Sequence, residues 1–216
     1  MLFLNCDNMD DKNYWTKYYE ENSAPKEPSS FAEFINDCLE ENKTFIELGC
    51  GNGRDSIYFS KKNINIIAVD QVESEVKFLN EHFRKENLKF IADDFTNLNL
   101  DKTFDYIYSR FTFHSINEKK EDNTIDWISK HLNAGGLFFL EARSIKDPMF
   151  KQGEQLSDSE NYTTHYRRYM DLEKIIKKLE NKNLRVIYQK ESDGLSVYKD
   201  DNPVVIRLIV KNSYTI

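Results

Sequence analysis

The stretch Phe45-Ile46-Glu47-Leu48-Gly49-Cys50-Gly51-Asn52-Gly53-Arg54-Asp55 decides how the rest of the chain is read. The apolar run Thr44 to Leu48 predicts a buried strand, and the glycines that follow stop it. Glycine lets a chain turn sharply and bring backbone amides against a ligand with no Cβ in the way. Ligands of open parallel sheets sit at the carboxyl ends of strands, where the topology switches, so this turn is the candidate site. A dinucleotide loop has the spacing G-x-G-x-x-G. Counted from Gly49, the sixth position here is Arg54, and the third glycine comes one residue early. The spacing is acid-x-Gly-x-Gly-x-Gly, which makes a nicotinamide site the least favoured reading.

Outward from this turn, strand and helix signals alternate. Ser29 and Ser30 predict caps for a helix through Phe31, Phe34, Ile35 and Leu39. Downstream come helix Asp55 to Lys62, strand Ile64 to Val69, helix Glu73 to Glu86, strand Leu88 to Ala92 and strand Phe104 to Ser109. Helix Glu121 to Leu132, strand Gly136 to Glu141, helix Asp171 to Asn181 and strands Leu184 to Gln189 and Val204 to Val210 complete the series. Repeated β-α-β units with apolar strands predict one α/β domain with a mostly parallel sheet and helices on both faces. The stretch Ser144 to Tyr166 has few apolar anchors and reads as a long irregular loop.

Acids recur at the strand tips. The second strand ends Ala68-Val69-Asp70, and a carboxylate there can accept both hydrogen bonds of a ribose diol. The third ends Ile91-Ala92-Asp93-Asp94-Phe95, and the fourth reads Phe104-Asp105-Tyr106-Ile107-Tyr108-Ser109-Arg110-Phe111. With the turn Leu132 to Phe138, these signals resemble the ordered motifs of class I S-adenosylmethionine-dependent methyltransferases over roughly residues 44 to 143. The resemblance implies a Rossmann-like, seven-stranded sheet with the last strand antiparallel. It implies S-adenosylmethionine as cofactor, held by Glu47, Gly49, Cys50, Gly51, Gly53, Arg54, Asp55, Asp70, Gln71, Ser109 and Arg110. Asp94 with Phe95 would meet the adenine, Asp93 being the alternative. It divides the chain into an N-terminal helical lid (1–43), a cofactor half (44–143), a substrate loop (144–170) and a completing segment (171–216).

Within that class, Cys50-Gly51-Asn52-Gly53-Arg54-Asp55-Ser56, with Asn13-Tyr14-Trp15-x-x-Tyr18-Tyr19 upstream, is similar to the tellurite-resistance and thiopurine methyltransferase group. That likeness makes Tyr14, Trp15, Tyr18 and Tyr19 candidates to close over the cofactor. Sequence after the fifth strand departs from the group: Arg143, and then His165-Tyr166-Arg167-Arg168-Tyr169. Guanidinium forks suit phosphate and carboxylate, so Arg143, Tyr166, Arg167 and Arg168 are candidates for an anionic substrate. This part looks like methyltransferases of bacterial surface-polysaccharide (capsule) pathways, including a group connected with O-methyl phosphoramidate decoration. His114 and His165 are candidates to take a proton from an attacking hydroxyl. His82 and His131 read as structural. An acceptor that is already an anion would need no base.

Composition bounds the rest. A formal charge of -7 argues against a general nucleic-acid binder. No apolar run approaches the roughly 20 residues that cross a bilayer, and no secretory signal is apparent at Met1 to Asp7, so the expected location is the cytoplasm. Cys6, Cys38 and Cys50 form neither a disulfide framework nor a metal motif. The D/N/S-P-P-Y/F/W tetrapeptide of amino-methylating DNA enzymes is absent, as are the glutamate pair of arginine methyltransferases and a magnesium-binding acid cluster. The expected partner is a small anionic molecule, with the alternatives of tellurite or thiol methylation and of cofactor binding without turnover.

Overall fold

Apolar residues on both faces of each short central strand call for a cover on both sides, and the computed structural model shows how the chain supplies it. It describes residues 11–22 and 25–214; Cys6 and the segment read for a signal lie outside them. In chain order the elements are α1 (Asp11–Asn22), α2 (Ser30–Ile35), β1 (Thr44–Leu48), α3 (Arg54–Phe59), β2 (Asn65–Asp70), α4 (Glu73–His82) and β3 (Leu88–Ala92). Then come β4 (Phe104–Arg110), α5 (Glu118–His131), β5 (Leu132–Arg143), β6 (Glu154–Gln155), β7 (Glu160–Tyr162) and β8 (Tyr166–Arg168). α6 (Leu172–Glu180), β9 (Leu184–Ser192) and β10 (Val205–Asn212) finish the series.

The main sheet has the order β3-β2-β1-β4-β5-β10-β9. Strands β1 to β5 pair in parallel, while β10 runs antiparallel to both β5 and β9. The Rossmann-like expectation, with the final strand reversed, therefore holds. Strand periodicity sorts the core. Ile46, Leu48, Ile107, Phe138 and Leu140 pack with Ile125, Ile128, Ile175 and Leu179 under α5 and α6. Phe45, Tyr106, Tyr108 and Phe139 face the other way, against Phe31, Ile35, Phe59, Val76 and Leu79 of α2, α3 and α4. Capping fixes the helix starts: Ser29 accepts from the Ala32 amide, Asn117 from Lys120, and Asp171 from Glu173 and Lys174.

Several boundaries differ from the sequence reading. The second helix ends at Ile35 and tightens into a 3-10 turn, Asn36–Cys38, instead of running to Leu39. The stretch read as irregular holds a three-stranded antiparallel sheet, β6-β7-β8. Its anchors are polar: Asn161, fully buried, donates to the carbonyls of Met149, Phe150 and Gln152. Arg168 ties the same sheet to Glu121 of α5 at 2.6 Å. Hydrophobic periodicity could not reveal a sheet held this way.

Candidate active site

The order reverses between β1 and β4, and a cavity of about 660 Å³ opens at their carboxyl ends, within the range of small-molecule sites. Its floor is the glycine turn. Gly49 and Cys50 both donate to the Val69 carbonyl, at 2.9 and 2.8 Å, which locks the turn onto the neighbouring strand. Gly49 and Gly51 have φ of +77° and +53°, a region that penalises any residue with a Cβ. Space is also limiting. A Cβ on Gly49 would run into the Thr112 side chain, and one on Gly51 would lie 2.9 Å from the Tyr19 hydroxyl. Gly53, at the start of α3, lets the helix pack on Leu79 and Phe90.

Carboxylates fix this floor. The Gly51 amide donates to one oxygen of Asp70 at 2.9 Å, and the Val72 amide to the other at 3.0 Å. Burial raises the Asp70 carboxyl above its usual range, opposed by the backbone amides of Val72, Gly51 and Gln71. Glu47 is buried and accepts from the Ser56 hydroxyl. Burial first, then neighbouring Asp55, pushes its carboxyl well above the usual carboxylate range. Asp55 is fully engaged elsewhere: it accepts from the Ser29 amide and hydroxyl, each at 2.7 Å, and from the Tyr108 hydroxyl at 2.9 Å. It lines the cavity but acts as the pin that joins α3 to the start of α2.

The remaining cofactor candidates divide. Trp15, Tyr18, Tyr19, Arg54, Gln71, Phe95 and Arg110 line the cavity. Asp93 and Asp94 do not: Asp93 accepts from the Asp94 amide, and Asp94 caps the short turn after β3 through the Thr96 amide and hydroxyl. Ser109 is fully buried against Thr112. Tyr14 is also off the wall, stacked on His165 with ring centres 4.2 Å apart. The glycine floor, the acidic side chains of Glu47 and Asp70 and the rings of Trp15, Tyr19 and Phe95 together fit an adenosyl sulfonium: rings favour a cation, and a bound cation would draw two carboxyls raised by burial back toward their charged forms.

On its other side the cavity is basic. Arg110, at the end of β4, pairs with Glu141 at 3.0 Å and donates to Ser196 at 3.1 Å. Arg143, at the end of β5, pairs with Asp147 at 2.8 Å and with Asp201. The two guanidiniums sit 4.3 and 5.8 Å from the ring of Phe111 between them. Phe111 lines the cavity with φ of +55°, a strained position of the kind that gathers at functional sites. Arg168, spent on Glu121, and Tyr166, which donates to Glu160 at 2.6 Å, do not reach the cavity. Arg167 donates to Thr163 and has no carboxylate within ion-pair distance among the described residues.

His114 and His165 are both buried, and neither lines the cavity. Burial, reinforced by Arg143 and Arg167, holds His114 well below the usual imidazole range. Burial and then Arg167 and Arg143 lower His165 to about 4. Both rings are therefore neutral and weakly basic near pH 7. Neither of the two candidate proton acceptors is thus brought onto the cavity wall.

Part of the wall was missed by the sequence reading. The segment leading into α2 (Lys26 to Ser29, with Ser30 of the helix itself) and the connection between β9 and β10 (Ser196, Val197, Tyr198, Asp201) both line the cavity. The only signal lay in Ser29 and Ser30, read as caps and nothing more.

Comparison with known proteins places this geometry. Residues 8–185 match the family model of the tellurite resistance protein TehB. A probable S-adenosyl-L-methionine-dependent methyltransferase TehB of Haemophilus influenzae is 28% identical over 138 residues, 63% of this chain and 46% of that protein. A malonyl-[acyl-carrier protein] O-methyltransferase of Ilyobacter polytropus is 31% identical over 156 residues, 69% of this chain and 57% of the relative. The chain thus spans about half the length of these curated relatives. In fold, it matches the Burkholderia thailandensis 1,6-didemethyltoxoflavin-N1-methyltransferase with bound S-adenosylhomocysteine, TM-score 0.72 at 15% identity, over 94% of this chain and 87% of that one. An S-adenosylmethionine-dependent methyltransferase from Clostridium acetobutylicum gives 0.69 at 20% identity, over 94% and 99%. With a family model matched across most of its length, the chain belongs to the TehB family.

Proposed function

We propose that this chain transfers a methyl group from S-adenosylmethionine to an oxygen of a small anionic acceptor, a phosphorylated or nucleotide-linked intermediate of surface-polysaccharide modification. The observation that carries the reading is the pair Arg110 and Arg143 flanking Phe111 in the same cavity as the glycine turn. Bound S-adenosylmethionine supplies an electrophilic methyl on a sulfonium, and its transfer is an in-line displacement that needs aligned partners more than a catalytic triad. The chain's own residues do the aligning. Asp70 fixes the Gly51 amide and keeps lone pairs for a ribose diol. Phe95 offers its face to the base, and the N-terminal rings Trp15 and Tyr19 cover the site. Neutral, weakly basic histidines favour an acceptor that arrives already ionised.

The TehB family model favours a second reading, methylation of a soft oxyanion such as tellurite or of a thiol. Both readings use the basic wall. Labelled cofactor offered with sugar phosphates, tellurite and small thiols separates them by the product that carries label. Binding of S-adenosylhomocysteine with no transfer to any of these, or to a cell extract, would instead support a non-catalytic binder.

The cofactor site has its own test. Asp70→Ala removes the carboxylate that would accept from the ribose diol, a charge-assisted interaction worth about 1.5–3 kcal/mol. Calorimetry should show S-adenosylhomocysteine binding weakened by about 10- to 100-fold. Unchanged affinity would show that the cofactor lies elsewhere.

A further inference from the structure

The two guanidiniums of the basic wall are not neutralised alike. Arg110 answers Glu141, a carboxylate with no exposure at all. Arg143 answers Asp147, whose side chain is 2% exposed and whose second oxygen caps the Met149 amide at 2.8 Å. Both pairs are built into the fold. Arg143 has a further partner of another kind: Asp201, 42% exposed, on the connection between β9 and β10 and on the cavity wall. That connection turns back on itself through paired backbone bonds of Tyr198 and Asp201, at 2.9 and 3.0 Å, with Lys199 at φ +53°. Once Asp147 has matched Arg143, Asp201 is a second carboxylate on one guanidinium. Of the two carboxylates on Arg143 it is the one open to solvent, so it can leave the guanidinium without being stranded in the fold. Behind them lies more positive charge: Arg167, with a hydroxyl as its partner, is within electrostatic reach of both Arg143 and Asp201.

We propose that the Asp201 carboxylate occupies the seat of the acceptor's anionic group, and that an incoming oxyanion displaces it from Arg143. The inference rests on the anionic-acceptor reading above and sharpens it. The ligand is a tetrahedral or planar oxyanion, a phosphate monoester or a carboxylate, with two oxygens for the guanidinium fork. Displacement returns Asp201 to solvent and releases one anchor of the connection that carries Val197 and Tyr198, which are 59% and 50% exposed at the cavity mouth. No bond is made or broken; one anion replaces another.

Inorganic phosphate is the probe, read as the rise in melting temperature with concentration against chloride at matched ionic strength. Asp201→Asn leaves a neutral group of the same shape on an exposed turn. It should bind phosphate about tenfold more tightly than the unaltered protein, as expected when an internal competitor is removed. Adding Arg143→Lys, which keeps the charge for Asp147 but loses the fork, should abolish the gain. An unchanged or weaker phosphate response in Asp201→Asn would overturn the proposal, as would a gain that survives Arg143→Lys or is matched by chloride. S-adenosylhomocysteine affinity is measured alongside in each variant. Its absence in the unaltered protein would sink the methyltransferase reading, while the phosphate series still decides the fate of the Asp201 seat.

Discussion

The glycine turn and the β9–β10 connection line one cavity but are held there by different means. The turn is fixed by its own backbone amides reaching the neighbouring strand tip: Gly49 and Cys50 donate to the Val69 carbonyl, and Gly51 to the Asp70 carboxylate nineteen positions away. The connection is fixed by side chains that meet across the whole fold. Glu141 binds Ser196 and Arg207, and Arg207 reaches back to Ser30 across 177 positions. One wall can be built correctly from a single β-α-β unit. The other exists only when β4, β5, β10 and the start of α2 have all assembled, so damage to the two should read out differently.

Gly51→Val is expected to give the largest effect and to confine it to the first wall. The left-handed backbone costs a β-branched residue at least about 1–2 kcal/mol, and the new Cβ meets the Tyr19 hydroxyl. Because the amide that binds Asp70 must then move, S-adenosylhomocysteine binding should vanish from calorimetry while the far-ultraviolet circular dichroism is retained. Measurable binding within tenfold of the unaltered protein would show that the turn is only a turn.

Glu141→Ala should do the reverse. It leaves Arg110 and Arg207 buried without their carboxylate, a change that costs about 3–5 kcal/mol, so the melting temperature should fall well before cofactor affinity does. Glu141→Gln keeps the shape and the Ser196 bond, and should recover part of the loss. If Glu141→Ala melts like the unaltered protein, the basic wall is not held by this carboxylate.

This contrast explains what was legible in the sequence. The strands β1 to β5, the turn and Asp70 were readable because periodicity and glycine spacing are local signals, and their geometry is equally local. Ser196 and Asp201 carry no such signal; their partners lie 55 and 58 positions away. Arg167 and Arg168 show a subtler failure. Read as a loop, they form one basic patch; in the strand β8 they alternate, and Arg168 turns to Glu121 while Arg167 faces Thr163. Polar anchoring hid that strand. Asp55 was readable as part of a motif, yet its role as a pin for Ser29 and Tyr108 required the tertiary fold.

Acidity separates the walls by sign. On the cofactor side Glu75, buried with Oε1 unpartnered among the described residues, is raised to about 7 by burial and by Asp70. Tyr19 and Cys50 share its surroundings. A carboxyl whose folded value is raised holds its proton longer in the native state, so stability is lost as pH climbs from about 4.5 to about 7. On the acceptor side His165, lowered from 6.5 to about 4, contributes stability that is present above 6.5 and lost as pH falls toward 4. Melting curves between pH 4 and 8 should therefore respond oppositely to two substitutions. Glu75→Gln should flatten the loss toward neutral pH, and His165→Phe, which keeps the stack on Tyr14, should flatten the loss toward acid. Parallel shifts in the two variants would show that these groups do not govern the profile.

The smallest effect is expected where the two walls touch. Lys26, just before α2, donates to the Tyr198 hydroxyl at 3.1 Å and lies 5.1 Å from the ring, joining the segment beside the first wall to the connection of the second. Both groups are exposed, and exposed substitutions away from packed features change stability little. Lys26→Ala should leave the melting temperature within about 2 °C and S-adenosylhomocysteine affinity within about twofold. Its mark should fall on the acceptor instead, because Tyr198 is an exposed residue of the cavity wall, on the side where the proposed acceptor would bind. A KM for acceptor raised about two- to fivefold at constant kcat is the expected signature. A fall in kcat with KM unchanged would mean that this bridge serves the reacting geometry itself, and that the two walls are coupled more tightly than their separate anchoring implies.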